Sequence, residues 1–264
     1  MKFKDQVVWI TGASSGIGEA CVYESVKEGA IVIASARREK ELQRVKNACG
    51  DKAAQVHVLP LDLTQSANFA ELAKEVFEQH GKIDVLINNG GISQRSLVHE
   101  APLSVDRKIF EVNFFGQVAL TKAVLPYMLE KKHGQIAAIS SVVGKFGFPL
   151  RSAYAASKHA LHGFFETVDL ELSDKGVQTT MVCPGRIKTA VSINALTGDG
   201  TPANEMDPGQ ENGMAAEECA RQIMKAIHKR KKEVYIGRFE ILAIYFKRYM
   251  PWLFRIIARK SNPR

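Results

Sequence analysis

Tyr154 and Lys158 stand four residues apart, the spacing that stacks two side chains on one face of a helix. A free tyrosine titrates near ~10, and a neighbouring ammonium favours the phenolate and lowers that value. Such a phenol can hand its proton to the oxyanion that forms when a carbonyl carbon is reduced. A Tyr/Lys pair at this spacing is common by chance. It gains meaning from Ser141, a hydroxyl at the end of a strand-like run just upstream, where it can hydrogen-bond the same oxygen. Asn113 is the fourth candidate, on the apolar face that Ile109, Val112, Gly116, Ala119, Leu120 and Ala123 draw at helical spacing. A buried amide there is either a structural hub or the holder of a water that resupplies protons.

A carbonyl reduction needs a hydride donor, and the turn Thr11-Gly12-Ala13-Ser14-Ser15-Gly16-Ile17-Gly18 offers a place for one. It follows a first strand-like run and opens a helix-like one, the context of a dinucleotide fingerprint. Gly12 permits a tight turn, Gly16 lets backbone N–H groups reach a pyrophosphate, and Gly18 lets the helix pack against the sheet. Ser14, Ser15 and Ile17 fill the turn, and the helix dipole faces the phosphates. Lys158 would then also hold the nicotinamide ribose. The second strand ends in Ala36 followed by Arg37 and Arg38, where an acid would select NAD. Two guanidiniums can bind a 2′-phosphate, so NADPH/NADP+ is expected over NADH; the alternative is a solvated charge pair opening a helix. Asp62 and Leu63 follow the third strand and can meet the adenine, and Asn89 and Gly90 follow the fourth, beside its ribose. Asn88 reads equally as a tie between neighbouring strands.

The elements that must position these residues alternate along the chain. Strand-like runs fall at 6–10, 31–36, 56–61, 85–88, 135–140, 177–183 and 233–236, most of them apolar on both faces. Helix-like segments fall at 16–28, 39–48, 66–79, 106–131, 152–174 and 215–229. The pattern predicts an α/β fold: a doubly wound, parallel, seven-stranded sheet in a Rossmann-like three-layer sandwich. Residues 1–237 form one dinucleotide-binding and catalytic domain, and 238–264 a helical extension. Residues 190–214, rich in glycine and proline, read as a long flexible loop of the kind that forms active-site lids. Phe146, Phe148 and Leu150 read as an apolar pocket wall or, because of Pro149, as a turn.

Together these motifs resemble the short-chain dehydrogenase/reductase family in its compact, single-domain form, over about residues 5–237. The resemblance rests on TGASSGIG (11–18), the DL pair (62–63), NNGG (88–91), Asn113, the ISS strand end (139–141), YxxxK (154–158) and PGRIKT (184–189). It implies that the last motif binds the cofactor through Pro184, Gly185, Ile187 and Thr189, with Ile187 and Thr189 at the nicotinamide carboxamide. It also implies a homodimer or homotetramer built on the two long helices. Gly91 departs from the family's usual alanine, and the lost methyl is expected to loosen packing slightly. The implied activity is NADPH-dependent reduction of a ketone or aldehyde, with a non-catalytic NADP(H)-binding regulator as the rival reading on the same fold.

Charge sets the last segment apart. Residues 215–264 carry 13 Lys+Arg against 4 Asp+Glu, so the whole net charge of +8 lies there. In 238–260 basic residues interleave with Phe239, Ile241, Leu242, Ile244, Phe246, Trp252, Phe254 and Ile257, and no uncharged run exceeds six residues, too short to span a bilayer. A lid over the cleft, an amphipathic membrane contact and a subunit contact are the open readings. The segment resembles the tail of the membrane-associated dehydrogenase/reductase subgroup, which implies apolar or lipid-like carbonyl substrates. Nucleic-acid binding is not expected, since the basic residues come with aliphatic bulk and no recognition motif. The four cysteines are scattered without a CxxC pair, so reduced thiols and no metal are expected. Cys183 is given no role, because no histidine or base is expected to be placed to activate it. The N-terminus runs into strand-like sequence without a secretory pattern, and a cytoplasmic setting is expected, with a membrane-peripheral one as the alternative.

Overall fold

The computed structural model describes residues 1–260; the end of the expected extension, 261–264, lies outside the described residues. Seven parallel strands, β1 (Val7–Thr11), β2 (Ile31–Ser35), β3 (Val56–Val58), β4 (Val85–Asn88), β5 (Gly134–Ile139), β6 (Val177–Pro184) and β7 (Glu233–Ile236), form one sheet. Their order is β3-β2-β1-β4-β5-β6-β7, so the direction of winding reverses between β1 and β4. Ligands in open α/β sheets bind outside the strand carboxyl ends at such a reversal.

Both faces of the sheet are covered, which is why the strands read as continuous apolar runs. Val8 and Ile10 of β1 face a core shared with α1 (Gly16–Lys27), α2 (Glu39–Ala48) and α8 (Ala216–His228). Their neighbours Val7 and Trp9 face the opposite core, under α3 (Phe69–His80), α5 (Gly116–Glu130) and α6 (Ser152–Leu172). The one-residue alternation of a strand thus feeds two cores.

Three expectations change. The 56–61 strand stops at Val58, because Pro60 lacks a ladder donor; Leu59 and Leu61 still donate to Ala34 and Ala36 on either side of it. The 106–131 helix is two helices, α4 (Leu103–Phe110) and α5, joined by a π-helical turn over Glu111–Phe115 that contains Asn113. The 190–214 loop is built rather than open. Leu196 bridges Gln94 and Pro202, Met214 bridges Ile187, and Asp207 caps the short helix α7 (Pro208–Glu211). Beyond β7, α9 (Leu242–Tyr249) and α10 (Pro251–Lys260) break at Pro251 and bury Ile244 and Phe254 against Val142 and Phe146.

Candidate active site

A groove of about 1140 Å³ runs along the carboxyl edge of the sheet. That exceeds the usual volume for one drug-sized ligand, leaving room for two molecules in series. At one end the β1–α1 turn places Gly12, Ser14, Ser15, Gly16 and Ile17 on its wall. Asn89 holds this turn, donating from its amide to the Thr11 (2.9 Å) and Gly12 (3.3 Å) carbonyls. Thr11 Oγ1 in turn accepts from Asn89 N and Gly90 N, each at 3.0 Å. Gly18 lies under the turn rather than on the groove: a Cβ there would stand 2.2 Å from the Gly12 carbonyl oxygen. Ser15 caps α1 without a side-chain bond, so the first N–H groups of the helix are free to meet an anion.

Arg37 and Arg38 line the same end and are exposed. Asp62 and Leu63 follow β3, with Asp62 Oδ1 fixed by Thr64 N and Oγ1 at 2.9 Å each. Pro184, Gly185, Ile187 and Thr189 close from the β6 side, and the Thr189 methyl faces Gly16, where a Cβ would come within 3.1 Å of it. The glycine cradle, the uncapped helix end and the closing segment fit a dinucleotide. Asn88 instead ties β4 to α5, donating to Thr121 Oγ1 at 2.9 Å.

Ser141, Tyr154 and Lys158 meet at the middle of the groove. Ser141 follows β5 in extended conformation, its hydroxyl 3.3 Å from the Pro184 carbonyl it donates to, and it hydrogen-bonds the Tyr154 phenol. Lys158 is buried, donates to the Ile139 carbonyl at 2.7 Å, and lies 5.8 Å from the Tyr154 ring centroid. The expected acidification of the phenol is outweighed by burial. Burial pushes Tyr154 up, against the opposing pull of the Ser141 bond and the Arg151 guanidinium. Burial also pushes Lys158 down to about 8. Lys158 spends its proton on a backbone carbonyl instead of on the phenol.

Asn113 is fully buried and does not line the groove. Its Oδ1 accepts from Ile92 N (2.8 Å), while Nδ2 donates to Ile92 O (2.9 Å) and Ser157 Oγ (3.1 Å). The side chain is therefore a hub. A Cβ on Gly91 would stand 3.1 Å from its Oδ1 and 3.5 Å from Lys158 Nζ, so the missing methyl leaves space between those two groups.

Sequence reasoning passes over Gln94 and Arg151. Gln94 is fully buried, and its Oε1 accepts from Ala153 N (2.8 Å), Tyr154 N (3.3 Å) and Ser152 Oγ (3.4 Å), capping the helix that carries the tyrosine. Arg151 donates to the Gln94 carbonyl and lies 3.5 Å from Asp207 of the 190–214 segment. No local motif marks either residue, since their partners lie about sixty positions away. The view that Cys183 has no histidine near it is corrected: His162 Nε2 lies 3.7 Å from its sulfur. Burial and Lys145 push that imidazole down to about 4, and burial pushes the thiol up.

The outer wall comes from Phe146, Phe148, Leu242, Ala243, Phe246, Phe254 and Ile257. Around it Phe239, Tyr249 and Trp252 are 85 %, 72 % and 64 % exposed. No described helix is long and apolar enough to cross a membrane.

The short chain dehydrogenase family profile matches residues 6–199. The human protein called dehydrogenase/reductase SDR family member 7 is 40 % identical over 267 residues, covering 98 % of this chain and 79 % of that one. A short-chain dehydrogenase from Streptomyces avermitilis superposes with a TM-score of 0.81 at 28 % identity, over 97 % of this chain and 99 % of its own. A serine dehydrogenase in closed form, complexed with NADP+, gives 0.79 at 26 % identity, over 88 % and 95 % of the two chains.

Proposed function

The chain belongs to the short-chain dehydrogenase/reductase family, NAD(P)-dependent oxidoreductases, and from that premise we propose that it reduces an apolar ketone or aldehyde with NADPH. The observation that carries this reading is the meeting of Ser141, Tyr154 and Lys158 at mid-groove, between the glycine cradle and the apolar wall.

NADPH bound in the cradle supplies the hydride. Tyr154 donates the phenolic proton to the carbonyl oxygen as that oxygen gains charge. Ser141 hydrogen-bonds the same oxygen and favours its developing negative charge. Lys158 would hold the ribose of a bound cofactor, and its charge beside the phenol would counter the upward push of burial. Asn113 acts through its backbone and its fixed helix turn, holding the water from which protons are resupplied. Arg37 and Arg38 select NADPH through its 2′-phosphate. The exposed aromatic and basic surface of α9 and α10 rests on a lipid surface and passes hydrophobic substrate to the groove. Subunits pair through α5, with the π-turn that precedes it, and α6, where Phe115 and Leu170 are exposed.

The test is NADPH consumption across a panel of carbonyl compounds ordered by hydrophobicity. Tyr154→Phe should lower turnover at least ~100-fold while the cofactor Kd stays within about 3-fold. An active Phe variant removes Tyr154 as the acid, and equal use of NADH removes the cofactor preference.

A further inference from the structure

One turn along α6 from Lys158, His162 is 7 % exposed and faces Cys183 at the end of β6 and Glu233 at the start of β7. A ring nitrogen of His162, the Cys183 sulfur and a Glu233 oxygen lie within 4.8 Å of one another, with Cys183 Sγ 3.7 Å from Nε2 of the ring. Glu233 Oε1 is 3.6 Å both from Cys183 Sγ and from His162 Nδ1, and Glu166 Oε1 is 3.5 Å from the same Nδ1.

The hydrogen bonds around the ring favour one tautomer. Ser140 Oγ donates to the Lys158 carbonyl at 3.1 Å and lies 3.0 Å from His162 Nε2. A hydroxyl has one hydrogen; directed to the Lys158 carbonyl, it leaves Ser140 to accept from Nε2, the tautomer in which Nε2 carries the ring proton. Nδ1 then presents a lone pair, has no hydrogen-bond partner, and faces two carboxylate oxygens. Lone pair against carboxylate is repulsive unless a positive charge stands between them. Lys145 Nζ, 2.6 Å from Glu233 Oε1, answers only the carboxylate.

We propose that His162 Nδ1, Cys183 Sγ and Glu233 Oε1 bind a divalent ion of the zinc class, with Glu166 closing the site from the solvent side. Imidazole, thiolate and carboxylate together are a zinc donor set, whereas calcium and magnesium take oxygen ligands. Zinc bonds of roughly 2.0–2.3 Å place neighbouring donors about 3.3–3.8 Å apart, so a pair at the 4.8 Å limit closes by about 1–1.5 Å. On binding, the Cys183 thiol releases its proton to solvent and Lys145 gives up Glu233. The ion then joins α6, β6 and β7 directly behind the groove, since Cys183 precedes Pro184, Ser140 precedes Ser141 and Lys158 is one turn from His162. The cysteine pattern conceals this site, because each ligand sits on a different element.

The experiment reads metal, not turnover, and so stands or falls apart from the proposed reduction. The purified full chain is loaded with Zn2+ and, separately, Co2+, and dialysed. One equivalent should remain, Tm should rise, and cobalt should show tetrahedral d–d bands with a thiolate charge-transfer band. Cys183→Ser should abolish the charge-transfer band, and His162→Gln should weaken binding at least ~10-fold. Lys145→Gln, a change at a partly exposed residue, should tighten Zn2+ binding about 10-fold by removing a competing charge. Retention below a tenth of an equivalent overturns the site. So does a cobalt spectrum that survives Cys183→Ser, or a Zn2+ affinity that is the same in Lys145→Gln.

Discussion

The two walls of the groove are built in opposite ways. On and behind the sheet side polar groups are locked to the protein: Asn89 on the wall to the glycine turn, and behind it Asn113 to Ile92 and Ser157 and Gln117 Nε2 to the Gly90 carbonyl at 2.8 Å. On the outer side α9 and α10 meet the fold through the small cluster of Val142, Phe146, Ile244 and Phe254, and their other faces are exposed aromatics. Chemistry needs atoms held to fractions of an ångström, while substrate choice needs a surface that can vary. The same groove divides these demands between its walls.

The sharpest way to break this contrast is one methyl group on each side. In Gly18→Ala the new Cβ would meet backbone of the turn at 2.2 Å and the Asn89 amide nitrogen at 2.5 Å, neither free to move without the other. NADPH affinity, read by fluorescence titration, should fall at least ~100-fold or the fold be lost. Gly147, on the outer side, has nothing within 4 Å of a Cβ, and Gly147→Ala should alter Kd and kcat less than about 2-fold. Equal tolerance at both positions would abolish the distinction between the walls.

A second consequence of the locked wall is a pH limb. Lys158 is pushed down to about 8 by burial, while Tyr154 is pushed up. The proposed reduction needs the phenol protonated and the ammonium charged. Lys158 loses its proton first as pH rises, so kcat/KM for reduction should fall above about pH 8, approaching 10-fold per pH unit. A profile flat to pH 10 would show that the ammonium plays no part.

Gln94 gives a smaller effect on the same wall. Gln94→Leu removes the acceptor that caps α6 and leaves Ala153 N and Tyr154 N without it. The change should cost about 1–2 kcal/mol of stability and lower kcat by roughly 10-fold, with NADPH Kd unchanged. Stability measured by urea unfolding together with an unaltered kcat would make Gln94 purely structural.

How far the sequence could be read follows the same division. Strand ends and glycine turns are local: Ile10 into Gly12, Ile139 into Ser141, and Tyr154 with Lys158 on one helix turn all declare themselves within a few residues. The seven strands were legible for the same reason, and the third failed only where Pro60 removed a donor. What the sequence hid is non-local. Nothing near Gln94 announces that its amide caps a helix sixty positions on, and nothing near Cys183 points to His162. The π-turn at Asn113 escaped because an apolar face at 3.6 spacing hardly changes when one residue is inserted into the helix ladder. The state of Tyr154 escaped because desolvation is set by the whole fold, whereas the neighbouring lysine is visible in four letters.

The outer wall offers the mildest test, and it separates attachment from chemistry. Trp252 and Ile256 are 64 % and 48 % exposed and stand outside the groove lining. Residues 238–260 carry six Lys+Arg against one acid, and each cation near an anionic bilayer contributes about 1 kcal/mol. The double variant Trp252→Ser, Ile256→Ser should lose sedimentation with anionic phospholipid vesicles several-fold, while kcat on a water-soluble ketone stays within about 2-fold. Residual binding should then vanish with added salt, because only screened charge remains. If the variant sediments as well as the parent chain, the exposed aromatics serve something other than a lipid surface, and the apolar wall behind them must draw its substrate from water.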